Sequence, residues 1–305
     1  MIPFLLRRLV AAIPVLFGVS LLAFSMTHLT PGDPVKIMLG ERATAEDVAR
    51  LRLELGLDRP LPVQYLSFVS RALRGDLGTS LRSGQPVARE IGDRIGATAT
   101  LTLAAMGIAI LVGVLLGTLA AIQRSSAVDA LIMMIALVGI SMPTFWSGLL
   151  LILLFSLTLG WFPITDGGWS GLVLPAVTLG LPAAAVLARL TRSALQEVLN
   201  QDFVRTAHSK GVAATAVVAR HALRNALIPV VTIIGLQFGN LMAGSVIVES
   251  VFARAGIGRF AVNAIMARDL PQVQGIVLFA GVIYVVINAL VDVVYAAIDP
   301  RISVR

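Results

Sequence analysis

Asn200-Gln201-Asp202-Phe203-Val204-Arg205-Thr206-Ala207-His208-Ser209-Lys210-Gly211 opens a polar, basic segment that continues to Asn225 and is lodged between two strongly apolar runs. Asp202 is positioned to cap a short helix over 203–210, because its carboxylate can accept from the free amides of a first turn. Gly211 suits the left-handed residue that ends a helix, and Lys210 suits the negative end of its dipole. A second helical stretch is predicted from Ala213 to Asn225, leading into the next apolar run. Taken alone, such a segment is either a solvated basic loop or a surface offered to a partner.

The rest of the chain explains why this segment stands out. Hydrophobic residues make up 57% of the sequence and charged residues 13%, against about 25% charged in ordinary soluble domains. Six runs are long and apolar enough to cross a bilayer, which takes about 20 residues: 9–29, 98–122, 130–157, 172–190, 226–247 and 275–298. The predicted fold class is therefore all-α, a polytopic membrane protein with six transmembrane helices. Arg7 and Arg8 precede the first run, which is too long for a signal-peptide core and lacks a small-residue cleavage pattern after it.

Arg7 and Arg8, Arg124, the stretch from Arg189 to Arg224, and Arg301 and Arg305 all fall on one side of a six-span topology. The positive-inside rule makes that side, and both termini, cytoplasmic. The short loop 158–171 carries no Lys or Arg. The segment 30–96 carries many, but long loops escape the rule. The expected organisation is then an N-terminal segment and first span (1–29), an extracytoplasmic helical loop (30–96), a five-helix core (97–298) with the cytoplasmic loop 200–225, and a cytoplasmic tail (299–305).

Within 30–96, Thr44 and Asp47 form a capping box for a helix with Val48, Leu51 and Leu55 on its apolar face, closed by Gly56. Pro60 and Pro62 are expected to break it. An amphipathic stretch from Val63 to Leu73 follows, then turns at Gly75, Gly78 and Gly84 before a third helix at Pro86. This segment reads as a cap over the membrane domain, as a docking surface for an extracytoplasmic partner, or as both. Gly113 and Gly117, four apart, permit close helix approach, and Pro143 and Pro182 are expected to kink their spans.

Several activities are excluded. The chain has no cysteine and three scattered histidines, so no metal site is expected, and the arginines flanking apolar spans speak for orientation rather than nucleic acid. No Gly-x-x-x-x-Gly-Lys-Ser/Thr stretch occurs, and Lys36 and Lys210 are the only lysines, so the chain holds no P-loop for ATP. The motifs of zinc and serine hydrolases are absent, and no catalytic residue is assigned. Movement of a solute remains. Ser141, Gln237, Asn240, Asn288 and Asp292 are polar groups at span depth that could line a path. Asp292, the one carboxylate placed well inside a run, reads either as a path residue or as an interfacial ion-pair partner.

Arg205-Thr206-Ala207, with Gly211 four residues later, resembles the Glu-Ala-Ala-x-x-x-Gly loop of the permease subunits of ABC importers, in the form of the oligopeptide, dipeptide, glutathione and nickel branch. Pro31-Gly32-Asp33-Pro34, Leu55-Gly56-Leu57-Asp58-Arg59-Pro60, Gly75-Asp76-Leu77-Gly78, His221-Ala222-Leu223-Arg224-Asn225-Ala226 and Asp299-Pro300-Arg301 resemble that branch's recurring stretches in the same order. Arg205 stands where the general motif has Glu, His208-Ser209 where Arg-Ala is usual, and Phe252-Ala253-Arg254-Ala255-Gly256 lacks a Trp-Pro pair. The resemblance implies a type I importer permease in a bacterial cytoplasmic (inner) membrane. It implies as partners a second homologous permease subunit, two cytoplasmic ATPases that bind the ATP and magnesium, and an extracytoplasmic solute-binding protein. Arg205, Thr206, Ala207, His208, Lys210 and Gly211 would couple to the ATPase, with no cofactor in this chain. Dipeptides or glutathione are the solutes its phrasing favours, with nickel or another small solute as the alternative. An ion-coupled secondary transporter is the rival from another class and predicts ionisable relays and internal repeats, of which the chain offers one Asp and no convincing repeat.

Overall fold

The computed structural model describes residues 2–29, 35, 44–54, 56–123, 126–165 and 168–298. Among them the chain is helical, and its one β-type pairing is an isolated bridge between Thr79 and Pro86. The helices are α1 (Ile2–Leu29), α2 (Ala45–Glu54), α3 (Leu61–Leu73), α4 (Val87–Ile122), α5 (Ser126–Ser141), α6 (Thr144–Leu151), α7 (Ser170–Leu199), α8 (Asp202–Ser209), α9 (Leu223–Val251), α10 (Ile257–Met266) and α11 (Leu270–Ile298). Among the described residues, five stretches are long and apolar enough to cross a membrane, or six if a bent pair counts as one span.

The bent pair corrects the expectation of a kinked third span. Residues 127–141 and 144–158 meet at 107°, because Pro143 has no N–H to continue the α5 ladder and instead stands as the residue before α6. Pro182, by contrast, sits inside a continuous α7. The helix expected from Pro86 and the second span are one continuous 36-residue helix, α4.

The chain divides into two compact units. The first comprises 1–95 and 260–286, the second 96–259 and 287–305. In the first, α1 and α11 meet so closely that a Cβ on Gly281 would lie 2.6 Å from Val19. Gln274 Nε2 donates to the Ala23 carbonyl at 3.0 Å and to Thr27 Oγ1 at 2.5 Å. The capping box forms as expected: Thr44 N–H donates to Asp47 Oδ2 and Asp47 N–H to Thr44 Oγ1, each at 3.1 Å. Hydrogen bonds from Thr44 hold the Asp47 carboxyl below its ordinary pKa. Pro62 does not break a helix. It lies in the first turn of α3, where a proline's missing donor costs nothing. The α11 start is fixed by Asp269, which is fully buried. Asp269 accepts from the Gln272 N–H at 3.2 Å as a cap and from Ser80 Oγ at 2.7 Å, tying the 79–86 turn to the helix.

In the second unit α7 is the central element, packed against α5, α6 and α9. Leu101, Leu187, Val230, Val248 and Phe252 belong to its core. Gly113 and Gly117 are spent on internal packing: a Cβ on Gly117 would sit 2.5 Å from the Ala188 carbonyl, and one on Gly113 2.7 Å from that of Ala184. Arg192 on α7 makes a bidentate ion pair with Asp129 on α5.

Candidate functional site

The polar segment folds as a helix, a turn and a helix. α8 runs from Asp202 to Ser209, shifted one residue toward the N-terminus from the expected 203–210. Asp202 is not its cap. Gln201, in extended conformation, precedes the helix without a side-chain capping bond, and Asp202 occupies the first turn, 3.6 Å from the Arg205 guanidinium. A carboxylate there still favours the helix by opposing the positive end of its dipole.

Gly211 adopts φ +79, a conformation that a β-branched side chain resists. Its N–H donates to the His208 carbonyl at 2.9 Å, and the Val212 N–H reaches the Ala207 carbonyl at 3.3 Å. These bonds satisfy carbonyls that the end of α8 would otherwise leave free. The chain then turns through Ala213 into a short helical turn, a π-helical stretch at Val217–Ala222, and α9. The expected second helix is therefore present but widened. α8 packs on this π-helical stretch, with Val204 and Val217 buried, while Leu195 and Val198 of α7 pack with Ala222 and Ala226.

The outcome is a two-faced element. Val204 anchors it, Ala207 is half-buried, and Phe203, Arg205, Thr206, His208 and Lys210 are exposed with Gly211. The structure thus brings all six candidate coupling residues onto one short helix and the turn that ends it. The exposed Phe203, Arg205, His208 and Lys210, on this short helix and just beyond it, can do little chemistry alone. They can be held by a complementary surface.

The candidate path residues are more dispersed. Gln237 and Asn240 lie one turn apart on α9, joined by a 2.8 Å hydrogen bond from Asn240 Nδ2. Ser141 is exposed at the last residue of α5, before the Pro143 break, and Asn288 is half-buried on α11. The Asp292 side chain and the tail 299–305 lie outside the described residues.

A buried carboxyl group that the sequence reading passed over is Glu249, near the end of α9 and fully buried. Its Oε1 accepts from Thr98 Oγ1 at 2.6 Å, and its Oε2 accepts from the Arg259 N–H at 3.1 Å in the first turn of α10. Thr98 Oγ1 in turn accepts from the Ile257 N–H at 2.9 Å. Gly256 leaves space for this group, since a Cβ there would lie 2.2 Å from the Glu249 carboxyl. The loop that lacks Trp-Pro is thus closed by a side-chain cap, with Ala253 at φ 53. The signal was available: a lone Glu at the end of an apolar run, followed by Gly-x-Gly.

A helical fold with five, or up to six, stretches long and apolar enough to cross a bilayer among the described residues defines a multi-span membrane protein. The chain belongs to the family described as binding-protein-dependent transport system inner membrane component, whose model matches residues 113–304, while the model of that family's N-terminal region matches 1–102. It is 46% identical to the glutathione transport system permease protein GsiC of Salmonella paratyphi A and 45% identical to that of Escherichia coli K12, each over 306 residues covering both chains in full. Among solved structures, the inward-facing MetNI methionine ABC transporter matches with a TM-score of 0.59 at 18% identity, over 69% of this chain and 96% of that one. An amino acid ABC transporter matches with 0.55, also at 18%, over 68% and 94%. These two are likenesses of fold, and they agree with the ABC importer permease architecture expected from the resemblance. The protein is a multi-pass inner-membrane transport component.

Proposed function

We propose that this chain is one permease half of an ATP-driven importer of short peptides of the glutathione or dipeptide type. The observation that carries the reading is end-to-end identity of 45–46% with permeases named for glutathione transport. Two cytoplasmic ATPases bind ATP and magnesium, a second permease subunit completes the path, and an extracytoplasmic binding protein delivers the solute. Both termini face the cytoplasm, with 30–96 outside.

In this reading α8 seats in a groove of an ATPase subunit. Closure of the ATPase pair on ATP moves α8 as a lever through its packing on 217–222. ATP can shift the bundle only to the extent that the groove fits α8 differently in the two arrangements. Val204 and the Gly211 turn keep the lever rigid, and Arg205, Thr206, Ala207, His208 and Lys210 face or border the groove. Ser141, Gln237, Asn240, Asn288 and Asp292 supply polar groups along the path. The catalytic step belongs to the partners, consistent with a sequence that has no P-loop.

The test is uptake of labelled glutathione and dipeptides into proteoliposomes holding the permease pair, its ATPases and its binding protein. Uptake of one of these solutes that needs ATP and the binding protein supports the proposal. Uptake by the permeases alone, driven by an ion gradient, refutes it.

A further inference from the structure

α3 turns apolar side chains outward, away from the unit it belongs to: Leu66 is 65% exposed and Leu73 84%, with Leu61 and Val63 also exposed. A surface helix of a water-facing lobe would bury that face. The contacts of α3 place it elsewhere. Tyr65 Oη shares a 2.7 Å hydrogen bond with Ser20 Oγ, its ring stands edge-on to Phe17 and Phe24 with centroids 6.0 and 5.5 Å away, and Phe68 packs on Phe24 at 5.9 Å.

All of these partners lie within the apolar span Val10–Leu29. Ser20 is nine residues inside Leu29, about 13 Å below that end at 1.5 Å per residue. A tyrosine side chain reaches about 6 Å from Cα to hydroxyl by ordinary bond lengths. The α3 backbone at Tyr65 therefore sits at least about 7 Å below the end of the span, no shallower than interfacial amphipathic helices rest in one leaflet.

Beside α3 lies a cavity of about 380 Å³. Its walls include Phe24 and His28 at the end of α1, Arg59 before α3, Phe68 and Arg71 on α3, and Asp76 beyond it. One Asp76 oxygen already accepts the Gly78 N–H at 2.9 Å. Two guanidinium groups against one carboxylate leave one net positive charge at neutral histidine, the complement of a single phosphodiester. Arginine matches phosphate oxygens with paired donors.

We propose that α3 lies immersed in the leaflet on the side of segment 30–96, and that the cavity beside it binds the headgroup of one anionic phospholipid through Arg59 and Arg71. On the orientation proposed above this is the outer leaflet, and the site depends on that reading only for which leaflet it names. The lipid anchors α3 to the membrane surface.

The absence of cysteine makes the test direct. Leu66→Cys carrying a nitroxide, in the full chain in phosphatidylglycerol/phosphatidylcholine vesicles, is expected to be relaxed more by oxygen than by a water-soluble nickel chelate, while Asp58→Cys shows the reverse. Access of the chelate to position 66 overturns immersion, and so does protection of that position from both relaxants, the sign of a protein cover. Native mass spectrometry of the delipidated chain with added phosphatidylglycerol is expected to show one tightly held lipid, weakened at least fivefold in Arg59→Gln/Arg71→Gln. Soluble glycerol phosphate is expected not to displace it. Unchanged retention in the double variant, equal retention of phosphatidylcholine, or displacement by glycerol phosphate overturns the headgroup site. None of these readouts depends on transport, so failure here is separable from failure of the importer reading.

Discussion

Removing the Glu249 side chain should loosen the turn into α10, and the size of the effect follows from what it touches. Glu249 accepts one hydroxyl and one backbone N–H while fully buried. Each of two buried donors left unpaired when the carboxyl is removed costs about 1–3 kcal/mol. Glu249→Ala is thus expected to cost about 3–5 kcal/mol. Gly256→Ala should cost about 1–3 kcal/mol as an overpacked core, because its new Cβ meets the Glu249 carboxyl at 2.2 Å. The double variant is the discriminating one. With the carboxyl gone the methyl has room, so the combined loss should fall short of the sum by at least about 1 kcal/mol, within the range for contacting residues. The assay is thermal unfolding in detergent followed by the fluorescence of Trp146, Trp161 and Trp169, where each kcal/mol moves the midpoint by about 2–4 °C. A Glu249→Ala midpoint within 1 °C of the parent, or strictly additive losses, would refute the reasoning.

Other parts of the fold give sharper or smaller effects. Gly117→Leu should abolish a monodisperse folded chain on size-exclusion chromatography, since even a Cβ meets the Ala188 carbonyl at 2.5 Å and the backbones cannot part without opening the core. Tyr65→Phe removes the hydrogen bond to Ser20 and should cost about 0.6 kcal/mol, the average for such bonds in membrane proteins, read as a small drop in the unfolding midpoint and faster protease cleavage near α3. The Asp47 carboxyl is lowered by Thr44, so its support of α2 is fully present above the ordinary carboxylate pKa and is lost as pH falls through the lowered value. A carbon-labelled Asp47 should titrate below an ordinary aspartate by NMR, and Thr44→Ala should return it to the usual range.

The local signals that proved readable in the sequence were those decided by one or two residues. Thr44 with Asp47 marked a helix start, Gly211 marked a helix end at a left-handed residue, and the apolar runs marked the spans. What stayed hidden depends on partners distant in sequence. Pro143 announced a disturbance, yet whether a proline kinks or breaks depends on the packing of the helices on either side; Pro182 remains within a continuous helix while Pro143 does not. Asp202 looked like a cap because capping residues and first-turn acids share a composition, and only backbone conformation separates them. Glu249 escaped because its Thr98 and α10 partners are far apart along the chain. The exposed basic face of α8 was legible as composition, but its anchoring through Val204 and the π-helical stretch 217–222 was not, since widened turns leave no strong residue pattern.

The most direct measurement of the central claim is ATP-driven uptake by the reconstituted importer carrying Gly211→Val in this chain, at matched membrane expression. The left-handed turn that ends α8 resists valine, so the lever should be distorted. The account predicts an intact, membrane-inserted permease whose uptake and retention of the ATPases in mild detergent both fall at least tenfold, while binding-protein affinity for the solute is unchanged. Normal uptake with normal ATPase retention would contradict the account, as would uptake by this permease with no ATPase present.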